Sequence, residues 1–187
     1  MMMKRAIGIL CMGFGLAGCA ANIPTTYLVL SPVSGPVYTI SGQVVAVGRV
    51  MMPPAIDRSF LTTGSSETVM TVSDTAQWAA PLEPMAQTVL ARDLAVRLPG
   101  HRVLMPGDNL PAQALVVSVN IVTFLPYPAD VVLEADWSVT DIASKSAQTG
   151  RIRITAPSAT TAAGQVQAMS QALGQLADQI ASRIAGR

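Results

Sequence analysis

Val131-Val-Leu-Glu-Ala-Asp-Trp-Ser-Val-Thr-Asp141 decides the fold, because its side chains sort by alternation. Val131, Leu133, Ala135, Trp137 and Val139 stand on one side, and Glu134, Asp136, Ser138 and Thr140 on the other. Successive side chains of a strand point to opposite faces, so this is a strand with one buried and one wet face. Ahead of it, Ala114 to Phe124 is a second clear strand, and the short connection Pro126-Tyr-Pro128 favours an antiparallel pair. Behind it, Ala147 to Thr155 sets Arg151 and Arg153 against Ile152 and Ile154, completing a three-stranded meander that Pro157 stops.

A meander with one apolar face needs a cover, and two stretches at helical spacing supply it. Leu82, Met85, Ala86, Val89, Leu90 and Leu94 form one stripe, with Gln87, Thr88, Arg92 and Arg97 off it. Trp78-Ala-Ala-Pro-Leu82 is expected to open this helix, with Pro81 in the first turn and Glu83 at the positive end. It ends at Pro99-Gly100. The second helix, Gln165 to Ile184, carries Val166, Met169, Leu173, Leu176, Ala177, Ile180 and Ile184 on one face.

The remaining strands are read from shorter signals. Tyr27 to Leu30 is one, and Gln43 to Met51, apolar on both alternating faces, reads as a strand covered on both sides near the sheet centre. Met52-Pro53-Pro54 breaks it. Thr62-Thr-Gly-Ser-Ser66 reads as a turn, Glu67 to Val72 as a short strand, and Arg102 to Met105 as another. The expected class is α/β, with α+β the alternative: a mixed sheet of about six strands with two long amphipathic helices packed on it, in a single domain.

The N-terminus carries a different message. Lys4-Arg5, the apolar run Ala6 to Leu16 and then Leu16-Ala17-Gly18-Cys19 have the three parts of a bacterial lipoprotein signal. The run is shorter than the about 20 residues that span a bilayer, so it reads as an export signal that is removed. The expected division is 1–18 signal peptide, 19–26 lipidated tether and 27–187 periplasmic domain. Cys19 is the expected site of acylation, and several acyl chains hold firmly because each buried methylene contributes about 0.8 kcal/mol. Ala20, where inner-membrane lipoproteins often carry Asp, points to the outer membrane. A tether of seven extended residues reaches roughly 24 Å, which keeps the domain close to its membrane.

Composition narrows the function. Of 12 Lys and Arg, Lys4 and Arg5 leave with the signal, so 10 face 11 Asp and Glu. A near-neutral chain offers no basic face for nucleic acid. Cys11 also leaves and Cys19 is acylated, so no pair remains for a disulfide. His101 is the lone histidine, in a Pro-Gly-His-Arg turn, and reads as a solvated surface residue; thiols and clustered imidazoles for a metal are lacking, and so is a Gly-x-Ser-x-Gly elbow. No catalytic residue and no cofactor beyond the covalent lipid are expected.

Four residues are candidate partner contacts. Asp57 and Arg58 follow the Pro53-Pro54 break, and read either as a local ion pair or turn-capping pair or as a contact for a partner subunit. Leu125 and Tyr127 belong to an apolar, aromatic connection that is either an exposed anchor or a loop folded over the core. Trp78 and Trp137 read as core aromatics with their N–H groups satisfied.

Tyr27-Leu-Val-Leu, the Pro-Pro-x-Ile-Asp-Arg segment at 53–58, Trp78-Ala-Ala-Pro-Leu82, Leu98-Pro-Gly100, Ala135-Asp-Trp137 and Met169-Ser-x-Ala-Leu173, in that order after a lipobox, resemble the ABC-type transport auxiliary lipoproteins of the PqiC family. The loop 59–74 departs from that pattern. The resemblance implies a non-catalytic outer-membrane lipoprotein serving a lipid transport system. Its implied partner is an MCE-domain tunnel protein, docked by a homo-oligomeric ring. Readings from other classes are a periplasmic lipid-binding carrier or sensor and an assembly factor for outer-membrane proteins.

Overall fold

The computed structural model describes residues 24–40 and 42–186. The expected signal peptide, Cys19 and the tether up to residue 23 lie outside the described residues. Eight strands and two helices follow in chain order: β1 (Thr26–Leu28), β2 (Val44–Met51), β3 (Phe60–Ser66), β4 (Val69–Trp78), α1 (Leu82–Arg97), β5 (Val103–Leu104), β6 (Ala114–Pro126), β7 (Asp130–Asp141), β8 (Ala147–Pro157) and α2 (Ala162–Ala185).

The architecture is α+β, and the strands divide between two sheets. A five-stranded mixed sheet has the order β5-β2-β6-β7-β8, with β2 parallel to β5 and β6 and the meander β6-β7-β8 antiparallel. The second sheet has the order β1-β4-β3, with β1 parallel and β3 antiparallel to β4. The alternation read from 131–141 is realised: Val131, Leu133, Ala135, Trp137 and Val139 are buried, and on the opposite face Glu134, Asp136, Ser138 and Thr140 are half-buried while Val132 is buried.

Both helices lie on that buried face and touch each other. Leu82, Ala86, Val89, Leu90 and Leu94 of α1 and Val166, Met169, Leu173, Leu176, Ala177, Ile180 and Ile184 of α2 are all core residues, joined by Val45, Val47, Val117 and Ile121 from the sheet. Each large aliphatic side chain so buried contributes about 1.5–3 kcal/mol, so the helix–sheet seam dominates stability. Thr161 caps α2, its Oγ1 accepting from Gly164 N at 3.2 Å. No helix among the described residues is long and apolar enough to cross a membrane.

Three local expectations are corrected. The segment Thr62–Ser66 is strand rather than turn, and the reversal falls at Glu67-Thr68. The reason is that its Ser and Thr groups bond across the ribbon: Thr63 Oγ1 donates to Thr71 O at 3.4 Å, and the Ser65 and Thr71 hydroxyls lie 3.2 Å apart. Trp78 closes β4 instead of opening α1, because Trp78 N donates to Ser59 O and Ala79 N to Leu28 O, so α1 starts at Leu82 with Pro81 as its cap residue.

The third correction concerns the 124–128 connection. The register of β6 shifts between Ile121 and Thr123, and the ladder then continues with Leu125 opposite Val132 and Pro126 opposite Val131. Such a bulge turns the strand and re-aims the side chains beyond it. Leu125 is therefore a buried strand residue, and the reversal begins only at Tyr127, whose N donates to Asp130 O at 2.6 Å.

Candidate functional site

Asp57 and Arg58 line a surface cleft of about 310 Å³, together with Ser59, Gln77, Trp78 and Pro81. Pro81 has no side-chain donor or acceptor for the first turn of α1, and Asp57 Oδ1 takes that place by accepting from Glu83 N at 3.4 Å. A carboxylate there also meets the positive end of the helix dipole. Arg58 Nε donates to Ala55 O at 3.1 Å, which closes the turn after Pro53 and leaves the guanidinium exposed. The two side chains thus cap separate pieces of backbone. The cleft sits where the three-stranded sheet meets α1.

Tyr127, half-buried, packs against the core and lies with its ring on Gly64 of β3, where a Cβ would collide with it. This contact stitches the β3–β4 ribbon to the end of β6. Trp78 and Trp137 are both buried. Their Nε1 atoms have no hydrogen-bond partner among the described residues, contrary to the expectation that each is satisfied. Trp137 leans over Gly150 of β8, which its ring fills in place of a side chain. His101 is half-buried rather than fully solvated, with Nδ1 2.9 Å from Gln43 O.

A hollow of about 690 Å³ lies on the uncovered face of the five-stranded sheet and is lined by Met51, Ser118, Asn120, Asp136, Ser138 and Arg151 among others. Arg151 holds Asp136 bidentately, at 2.6 and 3.2 Å, and Arg153 pairs with Glu134 one step along the same cross-strand ladder. The hydrogen bond from Arg151 holds the Asp136 carboxyl below the usual range, and the same bond raises the Arg151 pKa. Asp141, in the β7–β8 turn, is lowered chiefly by the backbone N–H of Ser144. Among the described residues no three of His, Cys, Asp and Glu gather to hold a metal ion.

One cluster is missed by the periodicity. Arg97, expected off the apolar stripe, is fully buried, and so is Asp93 one turn before it. Arg97 pairs with Asp178 of α2 and donates to the carbonyls of Val33, Asp93 and Gly174, at 3.0, 3.0 and 3.1 Å. The available signal is the i,i+4 spacing of Asp93 and Arg97, which a helix brings onto one face.

The chain matches the family of ABC-type transport auxiliary lipoprotein components over residues 27–181. Among solved structures it is similar to an uncharacterized protein at 17% identity and a TM-score of 0.68, covering 87% of this chain and 97% of that one. It is similar also to protein XCC0632 from Xanthomonas campestris, of the DUF330 family, at 15% identity and a TM-score of 0.66, covering 86% and 96%. These likenesses concern the fold. No curated protein matches.

Proposed function

The chain belongs to the family of ABC-type transport auxiliary lipoprotein components, and from that premise we propose that it is the outer-membrane, non-catalytic partner of an MCE-type lipid transport system. In this reading Cys19 is the first residue of the mature protein and carries the lipid, and the domain beginning at residue 27 faces the periplasm. The observation that carries it is the order of features: Leu16-Ala17-Gly18-Cys19, a short tether, then the family domain from residue 27 to 181.

A domain held within about 24 Å of one membrane does not cross the periplasm, so an extended partner must reach it. The resemblance implies that this partner is an MCE-domain tunnel protein, and the Asp57–Arg58 cleft is the surface we assign to it. Arg58 supports that choice because its turn needs only Nε, leaving the terminal nitrogens to face solvent. A homo-oligomeric ring is the arrangement expected around a tubular partner. The carrier or sensor reading is weaker, since the 690 Å³ hollow is an open sheet face crossed by the Arg151–Asp136 ion pair.

The test is affinity capture of the lipidated protein from membranes that also contain an MCE-domain protein. Co-elution with that protein, lost in an Asp57→Ala/Arg58→Ala variant that still folds, is the expected result. Capture of no MCE-domain protein would overturn the assignment. Mass spectrometry of the mature N-terminus checks the lipid on Cys19 separately.

A further inference from the structure

The ribbon formed by the ends of β3 and β4 stands clear of the body. Residues 65–72 are all exposed, and Val69, Met70 and Val72 keep 51%, 49% and 46% of their surface in contact with solvent. They are the only large apolar side chains in that span, and all three are on β4. Because side chains alternate along a strand, Val69 lies on one face of the ribbon and Met70 and Val72 on the other. Apolar side chains on both faces suit a fluid apolar phase, which wets both.

The direction of β1 says which phase that is. β1 runs parallel to β4, with Thr26 beside Ala76 and Leu28 beside Trp78. The chain ahead of Thr26 therefore enters from the end of the sheet at which the ribbon turns, and on the β4 side of it. From the level of Ala76 to Val69 the ribbon extends by about 24 Å, at roughly 3.4 Å per residue. From Thr26 back to Cys19 an extended tether reaches the same roughly 24 Å. A tether of that reach is long enough to let the lipid anchor and the apolar ribbon end meet one membrane surface.

We propose that Val69, Met70 and Val72 form a second, non-covalent membrane contact beside the lipid anchor, so that the domain stands on its membrane at two points. The proposal rests on the acylation of Cys19 put forward above. The chain has no Lys or Arg between Arg58 and Arg92, so the contact is apolar rather than an attraction to anionic headgroups. Glu67 at the turn, with Ser65 and Ser66 on β3, stays among the headgroups, which makes the contact shallow and presents the β4 side to the acyl region. Two points of attachment fix the tilt of the domain, which a flexible tether alone leaves free.

The experiment uses the full, lipidated chain on phosphatidylcholine vesicles. With Cys11 removed in the signal and Cys19 acylated, Met70→Cys introduces a unique thiol for a nitrobenzoxadiazole label, and Ser144→Cys in the β7–β8 turn is the control. The expected result is a blue-shifted, several-fold brighter emission at position 70 that lipids bearing a nitroxide quench, with position 144 remaining as in water. Vesicle-bound protein whose position 70 also reports water overturns the contact while leaving the anchor intact. Protein with an unmodified Cys19 that stays off the vesicles overturns both. A label at position 70 already shielded without vesicles overturns the proposal in favour of a second copy of the chain.

Discussion

Arg97 at the end of α1 is ion-paired to Asp178 of α2, and its side chain is 1% exposed while that of Asp178 is 33% exposed. The pair joins the two helices at the point where the loop after β1 crosses them. That loop is held to the same guanidinium through Val33 O, and Val33 N donates to Asp93 Oδ1 at 2.8 Å. Gly35 and Gly174 make the approach possible, since a Cβ at Gly35 would collide with Arg97 and Asp178, and one at Gly174 with Val33.

Removing one partner of a buried ion pair leaves the other charge and the carbonyls unpaired, which costs about 3–5 kcal/mol. Arg97→Met should therefore lower stability by that order in urea or thermal unfolding. Arg97→Lys should recover little of it, because a lysine has no planar fork to meet Asp178, Val33 and Gly174 together.

The same cluster makes stability depend on pH. Burial is the largest influence on Asp93, pushing its carboxyl up from 3.8 to about 6 against the opposing hydrogen bond from Val33 and the charge of Arg97; Asp178 adds to the rise. Between those two values the folded chain holds a proton that the unfolded chain has released, so stability falls as pH rises through the window. Such a displacement corresponds to about 3 kcal/mol at most. Asp93→Asn should lack this component, so the stability of the wild type relative to the variant should decrease from pH 4 to pH 7. Parallel profiles would show that Asp93 does not titrate in that range.

The contact of Tyr127 with Gly64 gives a third expectation. Leu125→Ser should destabilise the domain by about 2–5 kcal/mol, the cost of emptying a large apolar site. Gly64→Ala should cost about 1–3 kcal/mol by forcing the Tyr127 ring aside. Tyr127→Ala should relieve most of the penalty of Gly64→Ala, and a double-mutant cycle in urea measures that coupling.

What was legible in the sequence is what repeats at a fixed period. The β7 alternation and the α2 stripe are visible because the large apolar residues that set their period, Val131, Leu133, Trp137 and Val139 on β7 and Val166, Met169, Leu173, Leu176, Ile180 and Ile184 on α2, face one core. Arg97 defeats the same method, since a guanidinium counts as polar and its partners Val33, Gly174 and Asp178 are far off in the chain. The β3–β4 ribbon defeats it too: Thr and Ser with a glycine resemble a turn until cross-strand hydroxyl bonds are seen. Leu125 was legible as apolar, but the bulge that carries it into the ladder has no pattern of its own. Asp57 and Arg58 were readable as a local ion pair, a turn-capping pair or a partner contact, and which backbone each serves depends on α1 being brought to the turn.

That pair allows stability and partner capture to be separated. Asp57→Ala removes a long hydrogen bond to Glu83 N and a charge at the helix start, worth about 0.5–1 kcal/mol together. Arg58→Ala, at an exposed side chain, should change stability by about 0.5 kcal/mol or less. Neither loss approaches what unfolds a domain of this size, so the double variant should remain folded by circular dichroism and unfold within a few degrees of the wild type. If the cleft receives the MCE-domain partner, capture should nonetheless fall by tenfold or more, because loss of the Arg58 guanidinium removes a charge-assisted contact of about 1.5–3 kcal/mol and leaves its acceptor on the partner unpaired. Undiminished capture by the folded double variant would move the docking surface elsewhere, with the open face carrying Asp136 and Arg151 as the next surface to vary.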